Sequence, residues 1–429
     1  MYLLYSFVLG CAVLLSSPWW LLQMLRLGKY RAGFRERIGM VPARITSDVR
    51  PGGTWIHAVS VGEVLAVSQL VEALRKSFPE QQVWVSTTTA TGQQLARQRF
   101  GENRVFYMPL DFGLALRPYL NALEPSLVIL AETEFWPNLL HFAKKSGARL
   151  AIVNARISDR SFPRYRRFRW LFSRVLTNVD LFLAQTDEDA RRLREIGAPA
   201  ERVQTSGNLK FDIRLSAASP LLDSLRRAIP AGTPVIVAGS TTEGEEELLL
   251  KAFQAILAQH PSAVMVLAPR HPERFDRVAD DVVGSGIAMV RRSTWVAACP
   301  ISGGVFLLDT VGELAAVYAL GDIAFVGGSL FPVGGHNILE PAQHGVAVVT
   351  GTHTFNFREI VRVFENAGAL AVVTPEQLAT ELLHLLDEPQ RRAELGRRAR
   401  EVFLENTGAT QRTVEALRQI SLRAGKAAQ

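Results

Sequence analysis

Two cysteines, Cys11 and Cys299, are all that 429 residues contain, and they stand far apart with no metal-ligating neighbour. A disulfide framework or a zinc site is thereby excluded, and a reducing compartment suits the chain. No Gly-x-Gly-x-x-Gly follows the first predicted strand and no Walker A sequence occurs, so neither a Rossmann dinucleotide site nor a P-loop has support. The eight histidines show no ligand spacing. Residues 1–25 lack any charged side chain. Residues 160–174 lack any acid, yet hold Arg160, Arg164, Arg166, Arg167, Arg169 and Arg174. What is abundant is apolar residues, 48% of the chain, and 32 glycines, which exclude a disordered chain and fit an α/β protein of roughly two to three domains.

The uncharged N-terminus, rich in Leu, Val and Trp from Leu3 to Leu25, matches the about 20 apolar residues of a membrane helix. Trp19 and Trp20 near its end sit where interfacial aromatics belong, and Arg26, Lys29, Arg31, Arg35 and Arg37 follow at once. Positive charge marks the cytoplasmic side. Residues 1–25 therefore read as an anchor in the inner membrane, with the body of the protein on the cytoplasmic side. No basic stretch precedes the run and no small-residue cleavage site is evident, so a removed signal peptide is the weaker reading. Pro18 interrupts the run, which leaves open whether it crosses the bilayer or only enters it. Behind such an anchor, the nearest partner for the 160–174 arginines is an anionic membrane face; nucleic acid has only this weak support, and a solvated helix face explains the charge as well.

From 54 to about 213 strand and helix patterns alternate. Strands are expected at 54–59, 83–87, 104–107, 127–131, 149–153, 180–184 and 202–205, with helices between them such as 63–77 and 188–196. Residues 215–234, rich in Ser, Ala and Pro, read as an interdomain connection. Alternation then resumes, with strands at 235–238, 264–268, 287–290, 305–308, 322–326 and 346–349. The intervening helices include 243–258, 312–319, 337–344 and 376–386, and 390–424 is helical and charged. Such alternation predicts parallel sheets covered on both faces, in two consecutive α/β domains, 26–213 and 214–429, with the cleft between them as the ligand site.

Several motifs stand at strand ends, where open parallel sheets bind ligands. In Thr54–Glu63 and Leu127–Asn138 an apolar run passes into small or polar residues and then a carboxylate, so Glu63 and Glu132 or Glu134 are expected in one crevice, a geometry able to remove a proton. Gly327–Ala342 joins a strand to a helix expected to begin near Asn337, whose free N–H groups would favour a phosphate, with Glu340 in its first turn. Arg270, in Leu267–Arg274, offers a planar cationic clamp. Asp309-Thr310-Val311-Gly312-Glu313 marks another strand-to-helix junction, and Lys210, in Ser206–Asp212, another positive charge. Asp187-Glu188-Asp189 has metal-like spacing, but Thr186 before it and the arginine-rich helix after it make helix capping the better account. His57, inside a strand, reads as a satisfied core residue.

These motifs together resemble the Kdo (3-deoxy-D-manno-octulosonic acid) transferases of lipopolysaccharide synthesis, over almost the whole chain. The resemblance rests on Ser60-Val61-Gly62-Glu63, Glu132–Asn138, Asn154-Ala155-Arg156, Gly207–Asp212, Ala268–Arg274, Val311–Leu314 and Gly334–Glu340. It implies a GT-B fold, two Rossmann-like domains facing a cleft, whose last helix returns to the first domain, and an N-terminal membrane association. It implies inverting, metal-independent transfer of Kdo from CMP-Kdo to the lipid A precursor (lipid IVA), without a cofactor. By motif match Glu63 is the general base, Glu132 and Lys210 stabilise the transition state, and Pro269, Arg270, Val311, Gly312, Glu313, Asn337, Ile338, Leu339 and Glu340 hold CMP. Thr242 and Leu308 depart from the pattern, where His and Gly are expected. A GT-B enzyme using another nucleotide sugar on a membrane acceptor is the alternative; a catalytically silent membrane-tethered binding protein would not need the carboxylates and Lys210.

Overall fold

Strands such as Leu127–Ala131 are apolar at every position and buried at every position, the mark of a strand covered on both faces. A computed structural model describes residues 1–27, 32–212, 219–296 and 299–427, and its chain divides into two units, Met1–Asp212 with Thr407–Gln429, and Ile213–Asn406. Lys29 and Arg31 of the basic cluster lie outside the described residues.

The first unit holds β1 (Thr54–His57), β2 (Val83–Thr87), β3 (Val105–Tyr107), β4 (Leu127–Ala131), β5 (Arg149–Ala155), β6 (Leu181–Ala184) and β7 (Val203–Thr205). They form one sheet in the order β3-β2-β1-β4-β5-β6-β7, with every neighbouring pair parallel. Alternate residues feed separate cores: Trp55, Trp84, Phe106, Val128 and Leu130 point to one face, Ile56, Val85, Ile129 and Val153 to the other. Chain order reverses between β1 and β4, which pair Thr54 with Leu127 through to His57 with Leu130. This is the switch point where the crevice of an open sheet lies.

The second unit repeats the plan. Its strands are β8 (Val235–Thr241), β9 (Val264–Pro269), β10 (Met289–Arg291), β11 (Gly304–Leu307), β12 (Ile323–Val326), β13 (Ala347–Gly351) and β14 (Ala371–Val373), in the parallel order β10-β11-β9-β8-β12-β13-β14. The turn from one side to the other falls at β8, between β9 and β12.

Four expectations are corrected. Residues 215–234 are not simply a connection: Ser219 caps a helix over Pro220–Ala228, whose Leu221 and Leu225 are buried, while 213–218 lie outside the described residues. The helix expected over 337–344 shrinks to Leu339–Ala342. Its Pro341 has no N–H to continue the ladder. The helix expected over 312–319 is a four-residue turn, Leu314–Val317, continued as a 3-10 turn, Tyr318–Leu320. The charged helix at 390–424 breaks at Thr407–Gly408 into Pro389–Asn406 and Ala409–Ala427, which belong to different units. Strand β14, not among the strands expected from the sequence, lies at the sheet's edge and is only partly buried.

The C-terminal helix Ala409–Ala427 packs on the first unit, with Ala409, Val414 and Leu417 joining the core that holds Ile56 and Val64. Asp212 fastens its start by accepting the N–H of Gly408 at 2.6 Å and of Thr410, and Arg412 donates to the Ser206 carbonyl at 2.8 Å.

Candidate active site

Glu63 stands in the first turn of the helix Val61–Ser77, directly after β1. Its carboxylate folds back on the turn before it: the Val59 N–H donates to Oε2 at 2.8 Å and the Ser60 hydroxyl to Oε1 at 2.9 Å. Only 8% of Glu63 is exposed. Burial pushes its pKa from 4.5 up to about 7; the two hydrogen bonds pull the other way, and the nearby Glu132 and Glu134 add to the rise. A carboxyl with that pKa shares its time between acid and base at neutral pH, the condition for proton removal.

Glu132 follows the neighbouring strand β4. Its backbone takes φ +56°, the left-handed region that costs a residue with a Cβ, and its N–H donates to the Val153 carbonyl at 2.9 Å. Lys210 Nζ reaches its carboxylate at 3.1 Å. Burial raises the pKa of Glu134, two residues on, and the Glu132 charge adds to the effect. Glu63, Glu132, Glu134 and Lys210 are thus gathered where β1 meets β4.

Lys210 comes from beyond β7, and its approach is held by residues that sequence reasoning left without a role. Asn154, fully buried with φ +53°, accepts the Leu209 N–H on its Oδ1 at 2.9 Å, and Asn208 Oδ1 accepts the Lys210 N–H at 3.0 Å. The Gln185 amide donates to the Asn154 carbonyl at 3.0 Å. The β5–β6 pairing slips between Ile152 and Ala155, the irregularity that lets Asn154 turn. The signal was present in the Asn154-Ala155-Arg156 motif, but a motif does not say which backbone N–H an amide will meet. His57 is fully buried, with Nδ1 on the Ser86 hydroxyl at 2.9 Å; burial lowers its pKa to about 4, as a neutral core residue requires. Thr186 caps the helix Asp187–Glu195 by accepting the Asp189 N–H, which accounts for that acidic triplet.

In the second unit Pro269 and Arg270 end β9, Val311, Gly312 and Glu313 follow β11, and Asn337 through Glu340 follow β12, all at the carboxyl edge of one sheet. Arg270 is exposed. Its positive charge is felt by two neighbours. His336 is lowered to about 4, first by burial and then by Arg270; Glu340 is raised by burial and pulled back by Asn337 and Arg270. Glu313 is tied to Arg292 at 3.1 Å and to the Thr310 hydroxyl, while Val311 is 78% exposed. Ile338 and Leu339 are buried. The Asn337 Oδ1 accepts the Leu339 N–H at 3.2 Å. With only one turn of helix behind that N–H, the dipole expected at Asn337 is small.

Glu245 was missed as a site residue. Fully buried, it accepts the N–H groups of Gly328, Ser329 and Leu330 at 2.7–3.0 Å, and the N–H and hydroxyl of Thr242. It thereby fixes the glycine loop after β12 against the loop after β8, and Thr242 is spent inside that network. Glu246 beside it pairs with Arg274 through both carboxylate oxygens, at 2.8 and 3.0 Å.

Residues 32–213 match the family model described as 3-deoxy-D-manno-octulosonic-acid transferase (kdotransferase), and residues 241–402 the model of glycosyl transferases group 1. A 3-deoxy-D-manno-octulosonic acid transferase of Haemophilus influenzae is 38% identical over 394 residues, 91% of this chain and 92% of the relative. One of Bordetella pertussis is 38% identical over 416 residues, 94% of this chain and 92% of the relative. The chain belongs to the Kdo transferase family. It is a glycosyltransferase, and its two Rossmann-like units are of the GT-B class. The fold is shared with a UDP-GlcNAc 2-epimerase of Neisseria meningitidis, at TM-score 0.52 and 13% identity over 86% of this chain and 100% of that one. The carboxylate cluster lies at the β1–β4 switch point, in the unit that the kdotransferase model matches.

Proposed function

We propose that this Kdo transferase moves Kdo from CMP-Kdo to the lipid A precursor, in lipopolysaccharide synthesis at the cytoplasmic face of the inner membrane, by a single inverting displacement without metal or cofactor. A sugar hydroxyl is a poor nucleophile until a positioned base takes its proton. Glu63 takes that proton; the acceptor oxygen forms a bond to the anomeric carbon of Kdo; the bond from that carbon to the CMP phosphate breaks, and CMP leaves with the electron pair. One displacement inverts the anomeric carbon. Lys210 and Glu132, held together, stabilise the charge that develops. Arg270, with Pro269, Val311, Gly312, Glu313 and the Asn337–Glu340 segment, binds CMP.

The observation that carries this reading is the buried Glu63, with a pKa near 7, beside Glu132 and Lys210 at the switch point. The names of the relatives in Haemophilus and Bordetella support Kdo as the transferred group. Another nucleotide sugar remains the alternative, and nucleic acid has no part in the reading. The test is a mass-spectrometric assay of the detergent-solubilised protein with CMP-Kdo and tetraacylated lipid A precursor. A Kdo-lipid product with release of CMP is expected. A folded protein that binds CMP but gives no product with this acceptor, and gives one with another sugar donor, overturns the assignment.

A further inference from the structure

The N-terminal helix Tyr2–Leu27 contains an apolar window, Tyr2–Trp19, long enough to cross a membrane. Its first turns, however, are tied to the first unit by polar side chains. Tyr2 stacks on His141 with ring centres 4.0 Å apart, and its hydroxyl accepts from Asn178 at 2.7 Å. Tyr5 is hydrogen-bonded to Asp111, and Ser6 Oγ accepts from the Asn138 amide at 2.9 Å. Asp111 is 1% exposed and also receives the N–H groups of Asn138 and Leu139, at 3.1 and 2.8 Å. Residues 2, 5 and 6 form one stripe of the helix, at the spacing that places side chains on a common face.

Among the described side chains, the other face is bare. Leu3, Leu4, Phe7, Val8, Leu14, Leu15, Trp19 and Leu22 are all exposed. Nearby surface adds Leu114, 89% exposed, and Arg117, whose guanidinium lies over Phe142 on the helix Pro137–Lys145 that receives the N-terminal helix. Asn178, which holds Tyr2, closes the helix Arg169–Leu176, where Trp170 is 63% exposed beside exposed Arg166, Arg167, Arg169 and Arg174. Apolar side chains ringed by arginine complement a bilayer with anionic headgroups.

We propose that the N-terminal helix lies along the first unit in the plane of the membrane surface and does not cross the bilayer. A helix rises about 1.5 Å per residue, so a crossing helix would carry Tyr2 through about 30 Å of hydrocarbon, away from the unit to which Leu27 connects. The contacts of Tyr2, Tyr5 and Ser6 forbid that separation. Asn138, whose amide donates to Ser6, stands at the start of the helix Pro137–Lys145, directly after the segment that begins at Glu132.

This inference rests on the membrane reading given under Proposed function, and the experiment separates the two. A protease-cleavable tag fused before Met1 is probed in intact spheroplasts and in inside-out vesicles. In parallel, Ser6→Cys and Asn138→Cys are combined with Cys11→Ser and Cys299→Ser, and the vesicles are oxidised. Expected are cleavage of the tag only in inside-out vesicles and a 6–138 disulfide. Cleavage in intact spheroplasts, or absence of the disulfide, overturns the in-plane helix while leaving membrane attachment standing. Recovery of the protein in the soluble fraction alone overturns both.

Discussion

As the proposed base, Glu63 carries opposite demands of stability and chemistry. Its pKa rises from 4.5 to about 7 on folding, so between those values the unfolded chain releases a proton that the folded one keeps. Stability falls as pH climbs through that window, by up to about 3 kcal/mol for the 2.5-unit span, and the penalty stays in place above pH 7. Gln at this position can still accept from Val59 and can donate to Ser60. Glu63→Gln is therefore expected to lower transfer by roughly 100- to 10,000-fold, the usual contribution of a general base. Its melting temperature is expected to exceed the parent's at pH 8 and to match it near pH 4.5. Equal melting curves at pH 8 would remove the burial argument, and substantial turnover would remove the base. In the unaltered enzyme kcat/KM is expected to rise with pH to a plateau through about 7, and a flat profile from pH 5.5 to 8 would count against Glu63. The Lys210–Glu132 pair is partly exposed, so Lys210→Met should cost under about 1 kcal/mol of stability, by urea denaturation, while kcat falls.

Short polar segments, more than long helices, set the positions of the site. Glu245 satisfies three successive backbone N–H groups of the loop after β12. Glu245→Ala would leave those buried donors without partners, at about 1–3 kcal/mol each if no water replaces the carboxylate. The expected result is a loss of several kcal/mol in denaturant unfolding of the second unit; a loss under about 1 kcal/mol would mean the loop holds itself. Asp212 plays the corresponding part for the C-terminal helix, and Asp212→Ala should cost about 1 kcal/mol, the usual worth of a helix cap, and speed hydrogen exchange over 409–420. Strand positions were legible because a parallel strand buried on both faces writes itself as an unbroken apolar run. The helix after Asn337 was not legible, since Pro341 and the hydrogen bonds of Asn337 cut it to one turn, and neither shows in periodicity.

Over the whole molecule, the charge pattern bears on the membrane attachment proposed above. The exposed Arg164, Arg166 and Arg167 each contribute about 1 kcal/mol to attraction by an anionic surface. Reversing all three to Glu should weaken sedimentation with phosphatidylglycerol vesicles by at least 100-fold at low salt and much less at 0.5 M salt, where screening removes the difference. Unchanged binding at low salt would leave the arginines as solvated surface.

Sequence alone determined the alternation of elements, the two parallel sheets, the apolar N-terminus and the strand-end carboxylates, because each is written in contiguous runs of side-chain chemistry. Tertiary structure decided what depends on residues distant in the chain. It set the order β3-β2-β1-β4 that makes Glu63 and Glu132 neighbours, and the reach of Lys210 across from β7 through Asn154. It also set the docking of Tyr2, Tyr5 and Ser6 on residues more than 100 positions away. Burial of Glu63, and with it a raised pKa, exists only once the sheet and its helices exclude water from that carboxylate.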